Sequence, residues 1–209
     1  METYHHGNLR QVLLEQAVEL ARAGGPDAVV LRDVQRMAGV SNSAAYRHYA
    51  DRDALLAAVA EYAEARLADA MLARLSSVTH HGPKARRAIA RFRATGQGYI
   101  DFALDEPGLF RTAFAHTTTG HEGHTRHPEA AGDHINEHHP FQILIRCIDD
   151  LVAAGVLSPD RRDGLDEAAW AAVHGLSTLF LDGPLSEADA PRKQLITERL
   201  LDVIAVGLQ

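Results

Sequence analysis

Apolar residues recur at three- and four-residue intervals along almost the whole of this chain, and no stretch of useful length alternates polar with apolar positions. That periodicity lays one face of a 3.6-residue helix against a core and leaves no material for a sheet, so the predicted fold is all-α. Asn8 is a good cap for a first helix, with Gln11 three residues on to complete a capping box. Leu9, Val12, Leu13, Ala17, Leu20 and Ala21 form its apolar stripe, which Gly24-Gly25-Pro26 ends. A short second helix is predicted over Leu31–Ala38, with Val34 and Ala38 turned inward. Gly39 tolerates a positive φ, and Ser41 caps a third short helix over 42–49. Asp51 caps a long alanine-rich helix over about 52–77, with Leu55, Leu56, Val59, Tyr62, Ala63 and Leu67 inward. Pro83 opens a helix that runs to about Asp105, and Pro107 sits in the first turn of the next, over about 107–115. Three more are predicted at about 138–155, 163–182 and 189–207, while residues 116–137, rich in Gly and His without an apolar stripe, read as a loop.

A length of 209 residues suits one large domain or two small ones, and the pattern predicts a boundary between 1–55 and 56–209. With 46% hydrophobic and 23% charged residues, whole-chain disorder is excluded. No apolar run approaches the roughly 20 residues that span a bilayer, and METYHHGNLR lacks an apolar signal-peptide core, so a cytoplasmic chain without a membrane partner is expected. The single cysteine, Cys147, excludes an internal disulfide and any zinc site built on two or more thiolates.

Lys and Arg number 21 against 28 Asp and Glu, a formal net charge of −7 that on average argues against nucleic acid. The excess is not evenly spread. Residues 1–50 carry Arg10, Arg22, Arg32, Arg36 and Arg47 against five acids and sum to zero, so residues 51–209 hold all seven excess negative charges. Within the neutral segment, two short helices joined by Gly39-Val40-Ser41 and braced by a preceding amphipathic helix are the layout of a helix-turn-helix DNA reader. Ala45 and Tyr49 face the core in that layout, while Asn42, Ser43, Tyr46 and Arg47 project outward. Small residues at 43–45 permit close approach to a groove floor, and Tyr46, Arg47 and His48 donate to phosphates or base edges. Arg52 sits in the first turn of the next helix, where a cation opposes the macrodipole, and a phosphate contact would account for it.

The run Gly39-Val40-Ser41-x-x-Ala44-x-Tyr46-x-His48-Tyr49-x-x-Arg52-Asp53-x-Leu55-Leu56 resembles the signature of the TetR/AcrR family of transcriptional regulators. Tyr4-His5-His6-Gly7-Asn8-Leu9-Arg10 is similar to the N-terminal arm of one branch, so the resemblance covers about residues 4–60. It implies a base contact for Arg32, operator-setting positions at Asn42, Ser43 and Arg47, and phosphate contacts for Tyr46, His48 and Arg52, with Ser41 and Ala44 belonging to the same reader. Leu31 departs from the usual capping Thr or Ser, and Ala45 from a larger aliphatic residue. The resemblance further implies a ligand-responsive repressor that binds double-stranded palindromic operator DNA as a homodimer.

Residues 61–209 resemble, more loosely, a subgroup whose C-terminal part carries a Trp-His-Gly motif, here Trp170-x-x-x-His174-Gly175. Tyr99-x-x-Phe102-Ala103-x-x-x-x-Pro107-x-Leu109-Phe110-Arg111 belongs to the same likeness. The candidate pocket for a partly apolar small-molecule effector draws on Phe92, Tyr99, Phe102, Phe110, Phe114, Phe141, Ile145, Trp170 and His174, with Thr95 and Gln97 as further polar groups. Plain core packing is the alternative for each aromatic. Gly96 and Gly98 inside a helix imply a bend, or close approach by a neighbour or ligand. Leu165, Ala169, Ala172, Leu176 and Leu179 form one stripe, and Ile196, Leu200 and Val203 lie on a last helix apolar on more than one face. Two such helices from each of two chains would make a four-helix dimer interface.

Seven of the thirteen histidines fall at 116, 121, 124, 127, 134, 138 and 139, which leaves metal sensing open as an alternative, although His121-Glu122-Gly123-His124 is not a zincin motif. Enzyme signatures are missing: the sequence has no Gly-rich phosphate loop and no G-x-S-x-G elbow, and it implies no cofactor. The remaining competitor is an all-α module that binds protein instead of DNA.

Overall fold

The computed structural model describes residues 9–79, 81–115 and 138–207, and among them the secondary structure is helical without strands. The helices are α1 (Leu9–Gly24), α2 (Leu31–Ala38), α3 (Asn42–Tyr46), α4 (Arg52–Ser76), α5 (Lys84–Asp105), α6 (Pro107–Phe114), α7 (Pro140–Ala153), α8 (Leu165–Leu181) and α9 (Ala190–Gly207). Single 3₁₀ turns lie at Pro26–Ala28 and Pro159–Arg161. Among the described residues no helix is long and apolar enough to cross a membrane. The cap expected at Asn8 and the loop expected over 116–137 lie outside the described residues.

The helices form two compact units. Those up to Glu64 belong with α6 in the first, and Ala65–Asp105 with α7, α8 and α9 in the second. The division therefore falls inside α4, and the first unit takes back a helix from beyond α5. In the first unit, Leu13, Ala17 and Ala21 of α1, Val34 of α2, Ala45 of α3 and Leu55 and Val59 of α4 are fully buried. Asp51 caps α4 as its sequence position implies, its Oδ1 accepting from the Ala54 N–H at 2.7 Å. The start of α6 lies against the end of α1: a Cβ on Gly108 would stand 2.1 Å from the Ala21 carbonyl oxygen and 2.5 Å from that of Arg22. Arg22 draws the same two ends together, its Nε 3.1 and 3.2 Å from the Glu106 carboxylate oxygens.

The core of the second unit comes from Phe92, Ile100 and Phe102 of α5, Ile143, Ile148 and Leu151 of α7, Val173, Leu176 and Phe180 of α8, and Leu201 of α9. The two α5 glycines answer to protein neighbours. A Cβ on Gly98 would meet the Met71 Cα at 2.8 Å and the Ala70 carbonyl oxygen at 2.9 Å, so α5 and the end of α4 touch backbone to backbone. One on Gly96 would meet Leu201 Cδ2 at 2.6 Å and Val173 Cγ1 at 3.4 Å. Arg93–Asp202, Arg91–Asp150 and Arg162–Asp149 ion pairs tie the helices at their edges.

Glu64, in the middle of α4, has its carboxyl pushed up to about 7, first by burial and then by the like charge of Glu61. The folded protein thus holds a proton that the unfolded chain has already released above its ordinary value of 4.5. Stability contributed by this group falls as pH rises from about 4.5 to about 7. Glu64→Gln removes that dependence and stabilises the protein by roughly 2–3 kcal/mol at pH 8 relative to pH 4, read as the difference between variant and wild-type melting curves at the two pH values. An unchanged difference would show that Glu64 is ionised at ordinary cost.

Candidate functional site

The α2–turn–α3 segment owes its shape to three local devices. Gly39 ends α2 in the left-handed region at φ 66°, its N–H donating to the Arg36 carbonyl while Val40 N–H donates to that of Gln35. A side chain at 39 would strain that backbone. Ser41 then starts α3, its Oγ accepting from the Ala44 N–H at 3.4 Å. The helix stops at Tyr46, three residues short of the predicted end, and the N–H groups of His48 and Tyr49 both donate to the Ala45 carbonyl at 2.9 and 3.0 Å. This tightened turn swings Tyr49 back into the core, where it is 2% exposed.

Burial sorts the residues of α3 and the following turn as the sequence predicts. Ala45 and Tyr49 face inward, while Asn42, Ser43, Tyr46, Arg47 and His48 are exposed, and Ala44 is half-buried between them. Arg32 is exposed near the start of α2, and Ser41 is exposed at the turn. Tyr49 fastens the turn to α1: its Oη donates to the Arg10 carbonyl at 3.3 Å, and the Arg10 guanidinium lies 5.2 Å from the centre of its ring. Burial raises the Tyr49 phenol above its ordinary value, so it stays neutral at physiological pH. Sequence reading missed this brace, because only its Tyr-to-core half has a periodic signal.

Arg52 also has partners within the chain. Its side chain is half-buried, with Nε donating to the Val29 carbonyl at 2.8 Å and Nη2 to the Pro26 carbonyl at 2.7 Å. The cation placed against the macrodipole holds the 3₁₀ turn ahead of α2.

In the second unit, the structure brings together four of the predicted pocket residues, Tyr99, Phe141, Trp170 and His174. Tyr99 Oη lies 2.8 Å from His174 Nδ1 and 3.2 Å from Trp170 Nε1, and Phe141 meets Trp170 edge to face at 6.1 Å. An indole N–H only donates, so the Tyr99 oxygen accepts from Trp170, while the direction of its bond with His174 Nδ1 follows the imidazole tautomer. Burial pushes the Tyr99 phenol up and the His174 imidazole down, and both effects favour the neutral pair. Phe92 and Phe102 are buried in the same unit, and Ile145 is half-buried. Phe110 and Phe114 sit on α6 in the first unit, with ring centres 5.1 Å apart. Thr95 is also spent internally, its Oγ1 donating to the Arg91 carbonyl at 2.8 Å and lying 3.2 Å from Cys147 Sγ.

The stripe expected at a dimer interface divides by burial. Ala169 and Leu176 are buried within the chain at 5% and 7% exposure, so they serve its own core. The outward face of α8 carries Ala168, Ala171, Gly175 and Leu179, with Leu165 and Ala172 half-buried beside it. On α9, Ile196 and Leu200 are half-buried, whereas Leu195, Val203 and Val206 are exposed, Val203 at 70%. Among the described residues no cluster of three or more His, Cys, Asp or Glu side chains could hold a metal ion. The histidines at 116, 121, 124, 127 and 134 lie outside them, and His139 caps α7 by accepting from the Phe141 N–H at 3.2 Å.

Comparison with known proteins places these features in two families. Residues 13–59 match bacterial regulatory proteins of the tetR family, and residues 92–204 match the tetracyclin repressor-like C-terminal domain. A solved protein of unknown function from Rhodococcus sp. RHA1 is 31% identical over 100% of this chain and 99% of its own, with a TM-score of 0.76. A TetR-family transcriptional regulator from Pectobacterium atrosepticum shares 20% identity over 100% of this chain and 97% of its own, with a TM-score of 0.64. A bacterial regulatory protein of the tetR family from Rhodococcus RHA1 shares 17% identity over 97% of both chains, with a TM-score of 0.62. These last two speak to the fold. No curated protein matches the chain.

Proposed function

Because this chain belongs to the TetR family of transcriptional regulators and is thereby a DNA-binding regulator, we propose that it acts as a ligand-responsive repressor that binds a palindromic operator as a homodimer. The observation that carries the reading is the division of α3 and its following turn into a buried side, Ala45 and Tyr49, and an exposed side of Asn42, Ser43, Tyr46, Arg47 and His48. The small residues let the backbone approach a groove floor, Arg47 reads bases, and Tyr46 and His48 hold phosphates. Arg32 adds a contact from α2. Ser41, Gly39, Arg52 and Tyr49 act through the reader by fixing its backbone. Retardation of the protein's own promoter fragment, steeply weakened by salt, tests the reading, and it separates DNA binding from a protein-binding module, which would show neither.

Two reader helices meet successive major grooves only when they stand about 34 Å apart, so the dimer sets the operator's geometry. Ala168, Ala171, Gly175 and Leu179 of α8, with Leu195, Val203 and Val206 of α9, present apolar surface of the kind that a second copy covers. Small residues on α8 allow helices to approach closely. Val203→Glu puts a charge into that contact and should convert a dimer at micromolar concentration into a monomer in sedimentation velocity, with helix content unchanged. A wild-type monomer, or a variant that stays dimeric, rejects this interface.

The effector reading rests on the Tyr99–Trp170–His174–Phe141 cluster, which combines aromatic surface with a neutral hydrogen-bonding pair suited to a partly apolar small molecule. Such a ligand alters DNA affinity only by favouring one of two arrangements of the dimer. The covalent route is α4, which starts six residues after α3 ends and runs into the second unit. Induction of this kind requires no covalent chemistry, cofactor or metal.

A further inference from the structure

Arg10 is an exposed cation in the first turn of α1, where the helix dipole disfavours positive charge and no acid is present to offset it. The residues three and four positions on are Leu13 and Leu14, so its own helix face offers no carboxylate. The next acid along α1, Glu15, accepts from Gln11 Nε2 at 3.1 Å. Arg10 forms no ion pair among the described residues, with Glu61 of α4, whose charge acts on the Tyr49 phenol, included. What holds the side chain is an aromatic face: the guanidinium lies over the Tyr49 ring, 5.2 Å from its centre. The Tyr49 Oη donates to the Arg10 carbonyl at 3.3 Å, so backbone and head group of residue 10 are both fixed to one side chain. Tyr49 directly follows Arg47 and His48, which are exposed. Helix stability therefore gives no reason for a cation at position 10, whereas its place beside the reader does.

We propose that Arg10 is a further DNA-binding residue, its guanidinium presented by the Tyr49 ring to a backbone phosphate next to those that Tyr46 and His48 hold. The inference rests on the operator reading and extends the reader from α2 and α3 to the start of α1. A ring face holds a guanidinium without accepting from its N–H groups, so the donor fork and the full charge stay available to phosphate oxygens. Fixing a long side chain before DNA arrives also lowers the ordering cost that an arginine free in solvent would meet on binding. A phosphate contact positions the protein without reading sequence, so Arg10 adds affinity for any duplex and leaves the choice of operator to Arg47 and its neighbours.

Fluorescence anisotropy of the full chain on two labelled duplexes, its own promoter fragment and an unrelated sequence of equal length, tests the assignment across about 50–200 mM salt. Arg10→Gln weakens both at least about fivefold, with the ratio between them held within about twofold. It also lowers the slope of log affinity against log salt by about 1.8, the value for one phosphate in each half of a dimer. Arg10→Lys keeps the charge and with it the wild-type slope. Arg66→Gln removes one exposed charge from the part of α4 in the second unit and leaves binding within about twofold. An Arg10→Gln protein with the wild-type slope, whether or not its melting temperature falls, would show a brace alone and overturn the contact. A loss confined to the promoter fragment, an Arg10→Lys loss equal to that of Arg10→Gln, or an equal loss from Arg66→Gln would overturn it too. A wild-type protein that binds neither duplex would instead reject the operator reading on which the contact rests.

Discussion

Tyr46→Ala combined with Arg47→Ala should weaken operator binding by at least about 100-fold while the circular dichroism spectrum and melting temperature stay close to wild type. Both side chains are exposed, with Tyr46 at 48%, so their removal opens no cavity and unpairs no buried group. A base contact by an arginine fork contributes roughly 1–3 kcal/mol, and a dimer loses each contact twice. Four lost contacts, even short of additive, exceed the 2.8 kcal/mol or so that a 100-fold change represents. Losing Arg47 should also flatten the salt dependence, since a cation near phosphate releases counterions on binding. Fluorescence anisotropy with a labelled operator fragment measures both. Wild-type affinity in the double variant would mean that α3 is not the reader.

Gly108→Ala should be the most damaging single methyl in the first unit, costing about 3 kcal/mol or more or preventing folding at 37 °C. Its Cβ would lie 2.1 Å from one backbone carbonyl oxygen and 2.5 Å from the next, and backbone at the end of α1 has no rotamer through which to yield. Movement of α6 is opposed by an ion pair and by its own burial. Glu106, at the start of α6, is held by Arg22 of α1, and Gly108, Leu109 and Thr112 of α6 are buried. Gly39→Ala is damaging for a different reason, its φ of 66°, with open space around the new methyl. Chemical denaturation of the two variants separates these causes: strain at 39 costs about 1 kcal/mol, well below the clash at 108. A Gly108→Ala protein as stable as wild type would show that α6 does not dock on α1 in this manner.

The helices were legible because each buries one stripe, and a stripe at 3.6-residue spacing is a local property. Ends marked by chemistry, such as Asp51 capping α4 and Pro107 opening α6, were legible for the same reason. Partners were not. Nothing local at Gly108 tells that α6 returns to α1. Arg52 looked free because its acceptors, Val29 and Pro26, lie more than twenty residues upstream. On α8, alanines surround the helix, and the period could not decide whether Ala169 or Ala168 faces inward.

The central claim, that this is a sequence-specific reader of DNA working as a dimer, is met most directly by selection of duplexes from a random pool on the purified full chain. The expected result is enrichment of an inverted repeat whose half-sites are separated by about one helical turn or a multiple of it, bound at least about 1,000-fold more tightly than unselected DNA. A pool that emerges without a shared sequence, retained no better than random duplex, would contradict it.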